Sequence, residues 1–280
     1  MEDAQPPARP WSRRQLANLG KSLRGRPVAA ETLPPYDDVM AWYNDIATWV
    51  QRQIENMDWS PLLGDAQPLL VSRPKTIDTL QQKLVRTPDM QLATVQDIAG
   101  VRFEAEMSLD EQDAVAEAIA ARFGHGPESI HDLRLDPHSG YRAVHVWLRF
   151  EGSGRAEVQV RTHLQGQWAN LFERAADVFG RQIRYDEPAA DPEAQQIVQD
   201  LIDLSTQNVA RMELVRQRLQ RLRLADDDAR RGIVPTSTVQ NQATVRKRHQ
   251  SSRNSERQLM EAMERMRKLF DLMQHAKEQV

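Results

Sequence analysis

A chain of 280 residues can bury a substantial core, and its length allows one domain with large extensions or two small domains. Its 37 basic and 40 acidic side chains leave a formal charge of -3, so no whole-molecule field marks it as a polyanion binder and any such role must rest on local patches. It has no cysteine, hence no disulfide, thiol nucleophile or cysteine-ligated metal, and no apolar run reaches the roughly 18 residues needed to span a bilayer. A soluble protein of a reducing, cytoplasmic compartment is expected.

Residues 1–35 read as a basic, flexible arm. In the first 27 residues Arg9, Arg13, Arg14, Lys21, Arg24 and Arg26 face only Glu2 and Asp3, prolines bracket the segment, and the apolar core of a secretion signal is missing. From Tyr36 the chain becomes periodic: Val39, Trp42, Tyr43, Ile46, Trp49, Val50 and Ile54 recur at three- and four-residue steps, which predicts a helix lying on a core. Leu69-Leu70-Val71 then reads as a strand, Thr76 to Val85 as a helix, and Ala99 to Glu106 as a strand carrying Val101 and Phe103.

Leu109 to Phe123 has the apolar spacing of a helix, and Leu133, Val144 to Phe150 and Ala156 to Val160 read as strands. Gly152-Ser153-Gly154 between the last two is a hairpin signal, so they are expected to pair antiparallel. Strand parity puts Glu157, Gln159 and Arg161 on one face and brings His145 near that row. Beyond residue 162 the pattern is helical, from about His163 to Gln182 and Ala194 to Ala225. A breaking segment, Gly232 to Thr244, follows, and then a last helix from about Ser255 to Lys277. The last helix places Leu259, Met263, Met266, Leu269, Phe270 and Met273 on one stripe, a docking face for its own domain or for a partner.

Four polar motifs stand at the junctions of these elements. Arg73 and Lys75 lie where a strand gives way to a helix, and Lys83 lies further along that helix. Cations beside a helix N-terminus oppose the helix dipole unless an anion such as phosphate sits there. Asp97 precedes Ile98-Ala99-Gly100-Val101-Arg102, a carboxylate of the kind magnesium takes together with substrate phosphates. Ser139-Gly140-Tyr141 is a turn leading into a strand, where a ring can project into a cleft and stack on a base, and His145 follows four residues on. Glu157-Val158-Gln159-Val160-Arg161-Thr162 presents three polar side chains to water or to a ligand. Each has a plainer reading alone: surface charges, a loop-capping Asp, a corner tyrosine, a solvated sheet face. Their ordered coincidence favours a nucleotide site.

That series resembles the synthetase domain of the RelA/SpoT family, the pyrophosphokinases that make alarmone nucleotides. The resemblance runs from about Ser72 to Glu173: Arg73-x-Lys75 and Lys83, Asp97-Ile-Ala-Gly-x-Arg102, Gly140-Tyr141-Arg142-x-x-His145, Glu157-x-Gln159-x-Arg161-Thr162 and Trp168-Ala169, all in family order. Without room for hydrolase and regulatory domains, the chain is similar to the single-domain small alarmone synthetases, including those of the toxic kind. The resemblance implies an α/β (α+β) fold, a mixed, mostly antiparallel sheet flanked by helices like that of nucleotidyltransferases. Its pyrophosphokinase domain would span 36–190 and a helical extension 191–280.

It further implies ATP as donor and magnesium as cofactor. Arg73 and Arg102 would meet adenine or phosphate, Lys75 and Lys83 would hold the polyphosphate, and Asp97 and Glu157 would organise the metal. Glu157 would also be a candidate base for the acceptor's 3′-hydroxyl. Tyr141 would stack on the acceptor base, supported by His145, Gln159 and Arg161.

The sequence departs from the family on the acceptor side. Asp136-Pro137-His138-Ser139 stands where Pro-Lys-x-Asn is frequent, Phe172-Glu173 replaces the histidine after Trp-Ala, and Asp132 matches the upstream aspartate only with a one-residue shift. Two acceptors therefore compete: a guanosine di- or triphosphate, giving an alarmone, and the 3′-terminal adenosine of tRNA. Arg13, Arg14, Lys21, Arg24, Arg26 and the cluster Arg246-Lys247-Arg248 could grip tRNA phosphates. The eroded acceptor loop favours tRNA, and with it growth arrest and a cognate antitoxin as partner. A contrasting reading is a dead member that binds nucleotide and regulates through its helical tail, but no candidate residue is lost. A simple kinase has neither a Gly-x-x-x-x-Gly-Lys loop nor Asp-Phe-Gly here. The tail could also make a homo-oligomer, and no membrane role is expected.

Overall fold

The structure is a computed structural model that describes residues 5–74, 77–231 and 242–278. Its elements in chain order are α1 (Arg13–Leu23), α2 (Tyr36–Glu55), α3 (Ser60–Leu63), β1 (Leu69–Pro74), α4 (Ile77–Arg86), β2 (Ala99–Ala105), α5 (Leu109–Arg122), β3 (Ile130–Asp132), β4 (Val144–Arg149), β5 (Arg155–Thr162), α6 (His163–Phe179), α7 (Pro192–Asp203), α8 (Ala210–Arg230) and α9 (Gln242–Glu278). The strands form one five-stranded sheet in the order β1-β2-β5-β4-β3, the mixed α+β architecture expected. The chain divides into two compact units, Met1–Glu104, Ala114–His131 and Val144–Val160 on one side, and Ala105–Asp113, Asp132–Ala143 and Arg161–Val280 on the other. This grouping is interleaved, each unit drawing on segments distant in sequence.

In the first unit, α2 starts directly after Pro35 with Asp37 and Asp38 in its first turn, where negative charge suits the dipole. It buries Val39, Trp42, Tyr43, Ile46, Val50 and Ile54 of the stripe the periodicity marked, and Ala47 beside them, leaves Trp49 half-buried, and packs along β1. β1 pairs antiparallel with β2, setting Arg73 opposite Gly100. β4 pairs antiparallel with β5 through the expected hairpin, setting His145 opposite Gln159 and Trp147 opposite Glu157.

Residues 13–23, expected within a flexible arm, form α1. Ser12 accepts from Gln15 N, its own N–H is met by the Gln15 side chain, and Leu16 and Leu19 are buried. The three-residue apolar spacing and the Ser-x-x-Gln capping box are the sequence signals of this helix, set among the cations.

In the second unit, α6 is capped by Thr162 and Gln165 and carries the stacked Trp168 and Phe172. Around it cluster Ala175, Val178, Val198, Leu201, Val209, Met263 and Phe270. The single long helix expected from Ala194 is instead α7 and α8 joined by a π-helical turn, Leu204–Val209, which buries Ser205. α9 starts at Gln242, earlier than the sequence pattern indicated; residues 232–241 of the breaking segment lie outside the described residues. Its stripe docks on its own unit. Met263 and Phe270 are buried, the Phe179 and Phe270 rings meet edge to face, and Arg174 pairs with Asp271 at 3.1 Å, while Leu269, Leu272 and Met273 stay exposed.

Candidate functional site

The first unit gathers its candidate residues on β2, β4, β5 and α4. Glu157 lies on β5 with 8% of its side chain exposed, and its Oε1 accepts from His145 Nδ1 at 3.0 Å and from Trp147 Nε1 at 3.2 Å. Its Oε2 accepts from Gln159 Nε2 at 2.8 Å. Burial pushes this carboxyl up. The charge and hydrogen bond of His145, the bond from Gln159 and the charge of Lys83 outweigh that and hold it down at about 2. The group is therefore an anion throughout the neutral range. Asp97, ahead of β2, is paired with Lys83 of α4, Nζ to Oδ1 at 2.7 Å, both being about a quarter exposed (22% and 27%). Arg102 on β2 is half-buried.

Two residues of this cluster escaped the sequence reading. Trp147 is two residues beyond His145 on β4, so parity alone puts it on the same side, but indoles in strands are ordinarily core. The His131 ring lies against Trp147, centroids 3.7 Å apart, and burial followed by the charges of His145 and Arg149 lowers its pKa.

The second unit holds the other candidates. Tyr141 ends a tight turn, His138–Gly140, three residues before β4 rather than at its start. Its hydroxyl accepts from Arg161 Nη2 at 2.9 Å, and the Arg161 guanidinium carbon lies 5.1 Å from the ring centroid. The turn leading to it is tightly constrained. Ser139 adopts φ 45° and Asp186 φ 59°, left-handed conformations that side chains other than glycine rarely take. Each holds the other: Ser139 N and Oγ donate to Asp186 Oδ1 at 2.9 and 2.7 Å, and Asp186 N donates to Ser139 Oγ at 3.1 Å. His138 also bonds Asp186. Gly140 has φ 78°, and a Cβ there would meet Trp168 at 3.0 Å and the Ile202 backbone at 3.2 Å, so glycine is required on both counts. The Gly140 carbonyl accepts from Ser205 Oγ at 2.6 Å. Asp186, Ser205 and Glu213, the last bonded to Arg142, were not foreseen, since nothing in their sequence neighbourhood separates them from helix-end polar residues.

The cationic candidates divide. Arg13, Arg14, Lys21, Arg26, Lys247 and Arg248 are exposed. Arg24 is not available to a ligand in the same way, because its guanidinium donates to the carbonyls of Leu84 and Gly20, each at 2.9 Å, and to that of Met90. Lys75 and the side chains of Arg73 and Arg246 lie outside the described residues.

Magnesium takes one or two carboxylates and completes its shell with phosphate oxygens and water. Among the described residues no group of three metal-binding side chains occurs. Asp97 and Glu157 are two carboxylates of the first unit whose donor chemistry suits a metal that arrives with a polyphosphate.

Residues 72–207 match the family model described as the region found in RelA / SpoT proteins. This stretch of the chain is similar to RelA / SpoT proteins. The matched stretch contains every candidate from Arg73 to Arg161, along with Asp186 and Ser205, and ends before Glu213. Uncharacterized proteins of Mycobacterium bovis and Mycobacterium tuberculosis are 49% identical over 178 residues, 64% of this chain; the chain spans 63% of their length. Among solved structures, the small alarmone synthetase 1 of Bacillus subtilis is 18% identical with a TM-score of 0.49, covering 66% of this chain and 98% of its own. A GTP pyrophosphokinase family protein of Streptococcus pneumoniae is 18% identical with a TM-score of 0.48, covering 69% and 97%.

Proposed function

We propose that the chain is an ATP-dependent pyrophosphokinase acting on a ribose 3′-hydroxyl. The observation that carries this reading is the Glu157 carboxylate, buried yet kept ionised by His145, Gln159 and Lys83, in the same unit as the Lys83–Asp97 pair and within the stretch that matches RelA / SpoT proteins. In the reaction the acceptor's 3′-oxygen bonds the β-phosphorus, the bond from that phosphorus to the α,β-bridging oxygen breaks, and AMP leaves with that oxygen. The hydroxyl proton is lost to water. Little covalent work is asked of the protein, and positioning with charge neutralisation supplies the rate.

Lys83 and Arg102, with Arg73 and Lys75, would hold the donor's polyphosphate. Asp97 and Glu157 would hold magnesium, which when bound supplies neutralisation of the phosphate oxygens. A carboxylate held near 2 is a weak base, so Glu157 orients the hydroxyl and supports positive charge more than it removes the proton. Tyr141, with Arg161 against its ring, would offer the stacking surface for the acceptor base.

For the acceptor we favour the 3′ end of tRNA. The lysine frequent before the Gly-Tyr turn is missing, Asp136-Pro137-His138-Ser139 standing there, and Arg13, Arg14, Lys21 and Arg26 are exposed for phosphate contact. A free guanosine nucleotide is the second reading, favoured by the ring and guanidinium of Tyr141 and Arg161, which suit a lone purine. Purified protein incubated with γ-labelled ATP and magnesium, offered deacylated tRNA, GDP or GTP in turn, decides it. Label on tRNA is expected. Label on GDP or GTP alone overturns the acceptor, and label on none, with nucleotide binding retained, overturns the enzyme.

A further inference from the structure

We infer that Glu213, on α8 and beyond the stretch that matches RelA / SpoT proteins, is a positioning residue that sets the Tyr141–Arg161 pair for the acceptor. Its carboxylate is 2% exposed. Oε2 accepts from Arg142 Nη1 at 2.6 Å, and Oε1 accepts from Thr162 Oγ1 at 2.5 Å. Arg142 is the residue after Tyr141, and Thr162 is the residue after Arg161. One carboxylate thus fixes the chain next to each member of the pair, and the pair itself is joined by the bond from Arg161 Nη2 to the Tyr141 hydroxyl at 2.9 Å.

The arrangement is specific to position. Thr162 already caps α6, accepting from Gln165 N at 3.2 Å, so its hydroxyl proton is directed to Glu213 while its lone pair is used by the helix. Arg142, 7% exposed, has in Glu213 the counter-charge that burial demands. Ser205, holding the Gly140 carbonyl from the π-helical turn between α7 and α8, pins the same loop one residue before Tyr141. The helical region that follows the matched stretch is in this account part of the acceptor half and not an appendage, and cutting α8 away would release the ring.

The inference rests on the pyrophosphokinase reading for its kinetic readout, and a second readout is independent of it. In the full chain with isotope-labelled tyrosine rings, the signals of the four tyrosines are recorded by nuclear magnetic resonance, that of Tyr141 being assigned with Tyr141→Phe. Glu213→Gln is compared with the double variant Arg142→Met/Glu213→Met, which leaves no buried charge unpaired and keeps the fold if the single variant loses it. In both, the Tyr141 signal is expected to move while those of Tyr36 and Tyr43 stay. The KM for whichever of deacylated tRNA, GDP or GTP the wild type labels is expected to rise about tenfold, with the KM for ATP within about twofold. A wild-type Tyr141 signal and an unchanged acceptor KM in the folded double variant would overturn the inference. If the wild type labels none of the three, the proposed function fails, and the Tyr141 signal alone then decides the role of Glu213.

Discussion

Replacing Glu157 by Gln keeps the shape of the side chain and removes its charge, and the structure sets the expected cost. The carboxyl is lowered from an ordinary 4.5 to about 2, which corresponds to about 3 kcal/mol of folding stability at neutral pH. A carboxyl depressed in the folded state contributes stability that is fully present above its unfolded value and is lost as pH falls through the folded one. Between pH 5 and pH 3 the wild type should therefore lose about 2 kcal/mol through this group, and the variant nothing through it. Urea unfolding of both proteins at pH 5, 4 and 3 reads it directly: the gap in stability between them should narrow by about 2 kcal/mol on acidification. A gap that stays constant across that interval would refute the picture of an ionised carboxylate held by His145, Gln159 and Lys83.

Gly140→Ala should destabilise the second unit by about 3 kcal/mol, adding a left-handed alanine to a Cβ 3.0 Å from Trp168, and thermal unfolding at an unchanged midpoint would contradict this. Lys83→Met removes the partner of Asp97 and a cation assigned to the polyphosphate, so the KM for ATP should rise about tenfold with the acceptor KM unmoved. A rise confined to the acceptor KM would reverse the assignment of donor and acceptor sides.

Much of the fold was legible because its signals are local. Alternating valines around Glu157 and a glycine-rich turn define the β4–β5 hairpin, and parity puts His145 near the row of Glu157, to which it is hydrogen-bonded in the structure. Lys83 and Asp97, singled out separately as phosphate and metal residues, turn out to bond each other, a contact of the kind sequence spacing does not specify. What stayed hidden depends on contacts distant in sequence. Glu213 reads as one charge among many on α8, and only the fold brings it to Arg142 and Thr162. Asp186 gives no sign that it clamps Ser139, because the left-handed pair exists only once both turns are made. Arg24 reads in the sequence like its neighbours, as a phosphate contact, yet its guanidinium is held by four backbone carbonyls.

The most direct test of the central claim is the fate of the donor nucleotide. Wild-type protein given α- and γ-labelled ATP, magnesium and the accepted substrate should release AMP in amounts equal to the γ-label gained by the acceptor. Glu157→Gln, folded at neutral pH, should release almost none. Release of ADP in place of AMP, or full transfer by Glu157→Gln, would contradict the account.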